Sequence, residues 1–188
     1  MAEVKTCPAL EDYLVGDQCL EEFAGVSSVF YVGLKKDLTA PLKATDNVYA
    51  TPAFKPGTGL YKFECKDEAN NIEGSSLGKR KGFKQTYNLT LEAANKVISK
   101  FARGLNNLDI FIIVPDGEES QIMYDPVHQI KLDADAIKLA TGSAATDERQ
   151  TTIAATLGPV KHPFMYVTAP VSDGWDSLLK SKSQPEAA

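Results

Sequence analysis

Residues 83–115, FKQTYNLTLEAANKVISKFARGLNNLDIFIIVP, change their hydrophobic period twice. The first part, FKQTYNLTL, alternates with Phe83, Tyr87 and Leu89 on one side, which predicts a strand with one buried face. From Glu92 onward the apolar residues recur at helical spacing. The last part, LDIFIIVP, is an almost continuous apolar run, which predicts a strand buried on both faces or nearly so. The stretch therefore predicts a helix inserted between two strands.

The helical part of this stretch carries one apolar stripe, formed by Ala94, Val97, Ile98, Phe101, Ala102 and Leu105. This spacing predicts a helix from Glu92 to Arg103 with a single buried side. Thr90 is the expected N-cap, because its hydroxyl can accept a hydrogen bond from the first helical turn. Gly104 is the expected C-terminal stop.

The rest of the chain reads as strands and breaker-rich loops. Strands are expected at residues 26–34, 47–50, 60–65, 72–77, 120–124, 127–132, 151–157 and 163–168, with a break at Gly158-Pro159. Residues 136–140 are ambiguous between helix and strand, and residues 39–59 read as a long loop. About eight to ten strands with one helix predict an α+β, mainly β protein, an antiparallel β-sandwich or barrel with one flanking α-helix. The expected organisation is an acidic N-terminal segment (1–24), one β-rich domain (25–170) and a C-terminal segment (171–188) that is flexible at its end.

Composition argues against several classes of protein. The net charge of −5 does not favour a general nucleic-acid binder. No apolar run approaches the roughly 18 residues of a membrane helix, and the first residues do not resemble a targeting signal. The three cysteines fit no zinc or redox spacing and are expected to be reduced thiols. We therefore expect a cytoplasmic protein, or part of a particle assembled there, with no membrane partner.

No stretch carries a convincing catalytic or ligand-binding pattern. Residues 74–80, GSSLGKR, fall short of a phosphate loop because the spacer is too short and Arg80 replaces the Ser or Thr that would bind magnesium. His128 and His162 lack neighbouring ligands at suitable spacing. Asp133 and Asp135 would share one face of a strand, as a solvated acidic edge or, as the alternative, a calcium or acid–base site. We expect no catalytic, metal or cofactor-binding residues.

Charge is distributed unevenly along the chain. Residues 79–103 hold seven cations against Glu92, whereas residues 109–148 hold nine acids against Lys131 and Lys138. Opposed patches favour head-to-tail contact between copies, which makes rings or filaments. The alternative is two solvated faces that keep the protein in solution.

The order of these features resembles a known family. The segment EGSSLGKRKGF at residues 73–83 is followed by an alternating strand, a helix and a strand that ends in Asp116-Gly117, and TTIAAT at residues 151–156 supplies a late strand. This order, over residues 47–168, resembles the tail tube proteins of long-tailed bacteriophages and prophages. The N-terminal segment, with Cys7 and Cys19, matches no part of that family.

The resemblance implies a structural virion protein, not an enzyme, made in the bacterial cytoplasm and found in the virion tail. Six copies would form a ring, and stacked rings would form a tube for the tape-measure protein and then DNA, with a tail terminator protein as a further partner. The tube lumen of the family is acidic, which makes Asp125, Asp133 and Asp135 the candidate lumen residues. Candidate contacts between subunits or rings are Lys79, Arg80, Lys81 and Lys84, and the loop at residues 39–59 is a second candidate.

Two other readings stay open. The chain could be another non-enzymatic β-rich structural or binding protein, such as a different virion component or a surface adhesin. It could also be an enzyme whose active site is assembled from residues distant in sequence.

Overall fold

The computed structural model describes residues 27–66, 69–116, 119–142, 148–171 and 174–180, which form two β-sheets and one α-helix. The strands are β1 (Val29–Leu34), β2 (Ala44–Thr45), β3 (Val48–Tyr49), β4 (Tyr61–Glu64), β5 (Asn71–Ser76), β6 (Phe83–Leu91), β7 (Ile110–Asp116), β8 (Glu119–Met123), β9 (Ile137–Ala140), β10 (Gln150–Val160) and β11 (Tyr166–Val167). The helix α1 spans Lys96–Asn107, and short 3₁₀ helices span Lys35–Asp37 and Gly174–Leu178. The predicted α+β, mainly β class with one flanking helix is confirmed.

The strands divide into a seven-stranded sheet, in the order β2-β3-β11-β8-β7-β1-β4, and a four-stranded sheet, in the order β5-β6-β10-β9. Neighbouring strands are antiparallel except β3 and β11, which are parallel. The predicted break at Gly158-Pro159 is wrong, because β10 continues to Val160 beyond a register shift after Leu157. Such an irregularity accommodates a proline, which has no N–H for the ladder.

The strand β7 is buried on both of its faces, as its apolar run predicts. Ile110, Ile112 and Val114 join a hydrophobic cluster that also takes side chains from β6, β10 and α1, so this cluster lies between the two sheets. Phe111 and Ile113 point to the other face of the seven-stranded sheet and join a second cluster. Residues of the 38–60 loop and Trp175 cover that second face.

The helix begins and ends four residues later than predicted. Asn95 is its N-cap, and its side-chain oxygen accepts hydrogen bonds from the N–H groups of Val97 and Ile98, both at 3.0 Å. Thr90, the predicted cap, instead pairs with Thr152 in the four-stranded sheet, because the ladder to β10 holds the chain extended up to Leu91. Gly104 does not end the helix either: its carbonyl accepts the N–H of Leu108, and helical residues continue to Asn107.

Three further stretches depart from prediction or are resolved by the structure. Residues 127–132 are mostly turn and irregular chain, and within them only Lys131 makes a bridge, to Thr156. The ambiguous residues 136–140 contain strand β9, which pairs with the start of β10. The 39–59 loop contains the short strands β2 and β3, the second of them within the predicted 47–50.

The C-terminal segment is held against the seven-stranded sheet at residues 174–180. Trp175 is buried and donates a hydrogen bond from Nε1 to Ser120 Oγ at 2.9 Å. Leu179 bridges to Leu60, next to β4. The expected flexible end comprises residues 180–188. Lys180 is described and its N–H donates to Leu60 O at 2.9 Å, whereas residues 181–188 and the acidic segment at residues 1–24 lie outside the described residues. In the described part of the chain, α1 is too short and too polar to cross a membrane, and no other helix is longer.

Candidate assembly surfaces

The four-stranded sheet has one face that points away from the core. Along β6 and β10, buried positions that face the core alternate with partly exposed ones. We call the outward set the polar sheet face. By this alternation and the pairing register, it comprises Asn71, Glu73, Ser75, Lys84, Thr86, Asn88, Thr90, Lys138, Ala140, Gln150, Thr152, Ala154 and Thr156.

The polar sheet face is dominated by hydroxyl and amide groups. Its charged members are Glu73, Lys84 and Lys138, so its net charge is slightly positive. Asn88 donates to Asn71 Oδ1 at 2.8 Å across the β5–β6 pair, and Asn71 donates to Glu73 Oε1 at 2.8 Å. The buried side of these strands was predicted from their apolar residues, whereas the polar sheet face was not predicted. The signal was present in the Thr and Asn positions that alternate with apolar residues in FKQTYNLTL and TTIAATL.

Both edges of this sheet are open in the described residues. The strand β5 pairs only with β6, and β9 pairs only with β10. Because all neighbours in the sheet are antiparallel, the two edge strands run in opposite directions. A row of unpaired N–H and C=O groups on an edge strand can pair with a strand from another chain.

The predicted basic contacts lie at one end of this sheet. Lys79, Arg80 and Lys81 form the exposed tip of the β5–β6 turn, which we call the basic turn. The N–H of Leu77 donates to Gly82 O at 2.9 Å at the base of the turn. Lys84 lies beyond the tip, on the polar sheet face opposite Ser75. The structure therefore brings three of the four predicted contact residues together in one projecting loop.

Asp125 shapes the turn that follows β8. Its Oδ1 accepts the N–H of Val127 at 2.8 Å and of His128 at 2.7 Å, and lies 3.0 Å from His128 Nδ1. Burial would raise the pKa of Asp125, but these hydrogen bonds and the His128 ring hold it below its usual value. The carboxylate is thus used within its own turn, away from the polar sheet face.

The other two predicted lumen acids do not share a strand face, and that expectation is wrong. Asp133 and Asp135 lie in an exposed turn between the Lys131 bridge and β9, where Asp133 O accepts the N–H of Ala136 at 3.0 Å. Asp135 has a φ of 64°, a left-handed conformation that aspartate tolerates better than most residues. The turn faces Ala102 and Asn106 of α1 across a shallow cavity. Aspartate favours turns, so alternation with alanine was a misleading strand signal.

The cations of residues 79–103 lie at two places in the fold. The basic turn precedes β6 and the α1 cations follow it, so a nine-residue strand of about 30 Å separates them. Several acids of residues 109–148 are engaged locally: Asp109 pairs with Lys35, Asp125 with His128, and Glu148 with Lys66. The seven cations therefore do not form one compact patch, and contact between copies through opposed charges stays a prediction.

Residues with the chemistry of metal or catalytic sites are dispersed. Within the described ranges, no three His, Cys, Asp or Glu side chains are grouped so that they could hold a metal ion. Cys65 is a free, buried thiol, and burial raises its pKa to about 12. It will therefore stay protonated and unreactive near neutral pH.

The surfaces that stand out are thus the polar sheet face, the two open edges beside it and the basic turn at its end. Their interpretation depends on this chain's own geometry, because comparison with models of protein families, with curated proteins and with solved structures finds no match.

Proposed function

We propose that the chain is a self-assembling structural subunit that resembles phage tail tube proteins. Copies join through their four-stranded sheets into a ring around a channel, and rings stack into a tube. The observation that carries this proposal is the four-stranded sheet itself, which has a buried inner face, a polar outer face and two open edges.

The strand directions support joining in a ring. A rotation that relates neighbouring copies keeps their strands in the same sense, so β5 of one copy would meet β9 of the next in antiparallel orientation. That contact continues the antiparallel pattern of the sheet. Closure by rotation removes both open edges of the four-stranded sheet, which is the condition that favours a closed barrel over an open sheet.

The outer face of the sheet suits the lining of a channel. In a closed ring the apolar face of each sheet stays in its own subunit core, and the polar sheet face points to the axis. Hydroxyl and amide groups such as those of Thr86, Asn88 and Thr152 bind water and keep such a channel hydrated. The lining that follows is polar and nearly neutral, whereas the family resemblance implied an acidic one carried by Asp125, Asp133 and Asp135.

Cysteine cross-linking tests the ring contact directly. One cysteine replaces Asn71, Glu73 or Ser75 on β5, and a second replaces Lys138 or Ala140 on β9, with Cys7→Ser and Cys19→Ser in the background; buried Cys65 is kept. Within one copy, β5 and β9 are three strand spacings apart, about 14 Å. A disulfide needs Cα atoms about 4.4–6.8 Å apart, so an intrachain bond is excluded.

We expect at least one pair, in the correct register, to give a ladder of covalent oligomers on non-reducing gels that ends at a closed ring. Single-cysteine variants serve as controls and should stop at dimers. Negative-stain electron microscopy of the uncross-linked protein at high concentration should show rings or hollow tubes of uniform width. If no pair gives more than the single-cysteine controls in samples that contain oligomers, the β5–β9 contact is wrong. If the protein also stays monomeric at all concentrations and salt conditions, a binding protein becomes the better reading.

A further inference from the structure

We propose that the acidic N-terminal segment, residues 1–24, binds in cis along a groove between α1 and β4. The groove has a volume of about 610 Å³ and is lined by Lys62, Phe63, Glu64, Cys65, Leu91, Glu92, Ala93, Val97 and Ile98. We call it the α1–β4 groove. This inference does not depend on the ring contact, because no residue of the groove lining belongs to the polar sheet face or to the edge strands β5 and β9.

Apolar surface is left uncovered on the helix side of the groove. Val97 is 70% exposed, although Ile98, Phe101 and Leu105 of the same helix pack into the core. At 100° per residue, Val97 projects between that packed stripe and a basic stripe that contains Lys96 and Lys100. Below it, the buried side chains of Leu91 and Cys65 line the groove, as does partly buried Phe63.

The first described residues of the chain lie beside this groove. Just before β1, Ser28 O accepts the N–H of Cys65 at 2.6 Å, and Cys65 is itself a groove residue. Since an extended chain spans about 3.3 Å per residue, a side chain five residues earlier, Phe23, reaches roughly 17 Å from Ser28. The segment also carries the apolar residues Leu10, Tyr13, Leu14 and Leu20 at intervals that can cover the groove.

The N-terminal segment is acidic, and the helix beside the groove is basic. Residues 1–24 carry six acids against Lys5. The helix α1 carries Lys96, Lys100 and Arg103 and no acid. The groove lining itself carries Lys62 against Glu64 and Glu92, so the favourable charge lies on the helix beside the groove and not in its lining. We therefore expect the acidic positions of the segment to lie beside the basic stripe and its apolar positions to cover Val97.

The native thiol of Cys19 provides a test in the full chain. In a Val97→Cys variant, mild oxidation should form an intrachain disulfide with Cys19 or Cys7, seen as a faster-migrating monomer on non-reducing gels and identified by peptide mass spectrometry. Val127→Cys is the matched control, because Val127 is 80% exposed on a turn outside the groove. The proposal is overturned if the intrachain disulfide to Cys19 or Cys7 forms in no higher yield from position 97 than from position 127. Disulfides found only between chains also overturn it, since the segment would then bind a second copy.

Hydrogen exchange supplies a readout without a new thiol. In the unmodified protein, amides in residues 9–24 should exchange on the order of tenfold more slowly than in a Val97→Glu variant. Val127→Glu should leave that protection unchanged. Added salt should reduce the protection, because part of the attraction is between exposed charges. Equal exchange of residues 9–24 in the unmodified protein and in Val97→Glu overturns the proposal.

Discussion

At the scale of single residues, Asp176 fastens the C-terminal segment to the seven-stranded sheet. Its Oδ2 accepts a hydrogen bond from Lys62 Nζ at 2.9 Å, and its Oδ1 accepts one from the Tyr31 hydroxyl at 2.8 Å. Lys62 lies on β4 and Tyr31 on the neighbouring β1, so one carboxylate joins two strands to the 3₁₀ helix that contains it. These two hydrogen bonds hold the pKa of Asp176 below its usual value.

The lowered pKa of Asp176 predicts a specific pH dependence. A carboxyl group whose pKa is lower in the folded protein stabilises the fold above its unfolded pKa, near 3.8, and this contribution is lost as pH falls through the folded pKa. Asp176→Asn should therefore lower the urea midpoint at pH 7 and reduce its further fall between about pH 4 and pH 2. Circular dichroism across a pH series measures both effects.

Asp46→Asn is the control for Asp176→Asn, because Asp46 is exposed in a turn with a φ of 54°, which asparagine also tolerates. It should leave the pH profile close to that of the unmodified protein. If the urea midpoint changes with pH in the same way in Asp176→Asn and in the unmodified protein, the pairing with Lys62 and Tyr31 does not stabilise the fold.

At the scale of elements, the sequence predicts strands better than it predicts helix boundaries. The alternation in residues 83–91 matches β6 at both ends, and the apolar run of β7 reflects burial on both faces. The N-terminus of α1 was missed because Thr90 and Asn95 are both good caps locally. Only the pairing of Thr90 with Thr152, 62 positions along the chain, decides between them.

The N-cap of α1 yields a prediction about this element. Asn95→Ala removes the acceptor for the N–H groups of Val97 and Ile98 and should lower the free energy of unfolding by about 1 kcal/mol. Asn95→Asp should keep the cap and gain from a negative charge near the helix N-terminus. Urea titrations followed by circular dichroism measure these differences.

Asn106→Ala is the control for the N-cap variants, because Asn106 is exposed on the same helix and removal of its amide leaves the cap intact. It should change the free energy of unfolding much less than Asn95→Ala does. If both variants lower the free energy of unfolding equally, the two hydrogen bonds of the N-cap contribute little to stability.

At the scale of the whole molecule, the candidate site was only partly predictable from sequence. Lys79, Arg80 and Lys81 form an exposed turn, which their position between Gly78 and Gly82 favours, and their role as contacts stays a prediction. The acidic lumen set was assembled from residues that proved to serve turns, as Asp125 does. The polar sheet face joins strands from residues 71 to 156, and its existence depends on a pairing register that no local pattern specifies.

The basic turn yields the prediction at this scale. It projects from one end of the four-stranded sheet, so in a ring built on that sheet every copy would present three cations on the same rim. Lys79→Glu/Arg80→Glu/Lys81→Glu should leave the monomer folded, since all three side chains are exposed, and should leave the β5–β9 contact intact. Exposed ion pairs are worth roughly 0.2–1 kcal/mol each, but the change is repeated in every copy of the ring. We therefore expect stacking into tubes to be lost while rings persist.

A second triple variant, Lys96→Glu/Lys100→Glu/Arg103→Glu, changes the net charge by the same amount but on α1, which follows the other end of β6. It distinguishes the effect of the reversed turn from the effect of net charge. Negative-stain images and the fraction that sediments at high speed give the readout, and disulfide ladders in both backgrounds report on the rings. Tubes should survive the α1 change if the turn itself makes the stacking contact. If both variants lose tubes equally, the turn is not a specific stacking contact. If tubes form normally with the reversed turn, rings stack through another surface, for which the 39–59 loop is the next candidate.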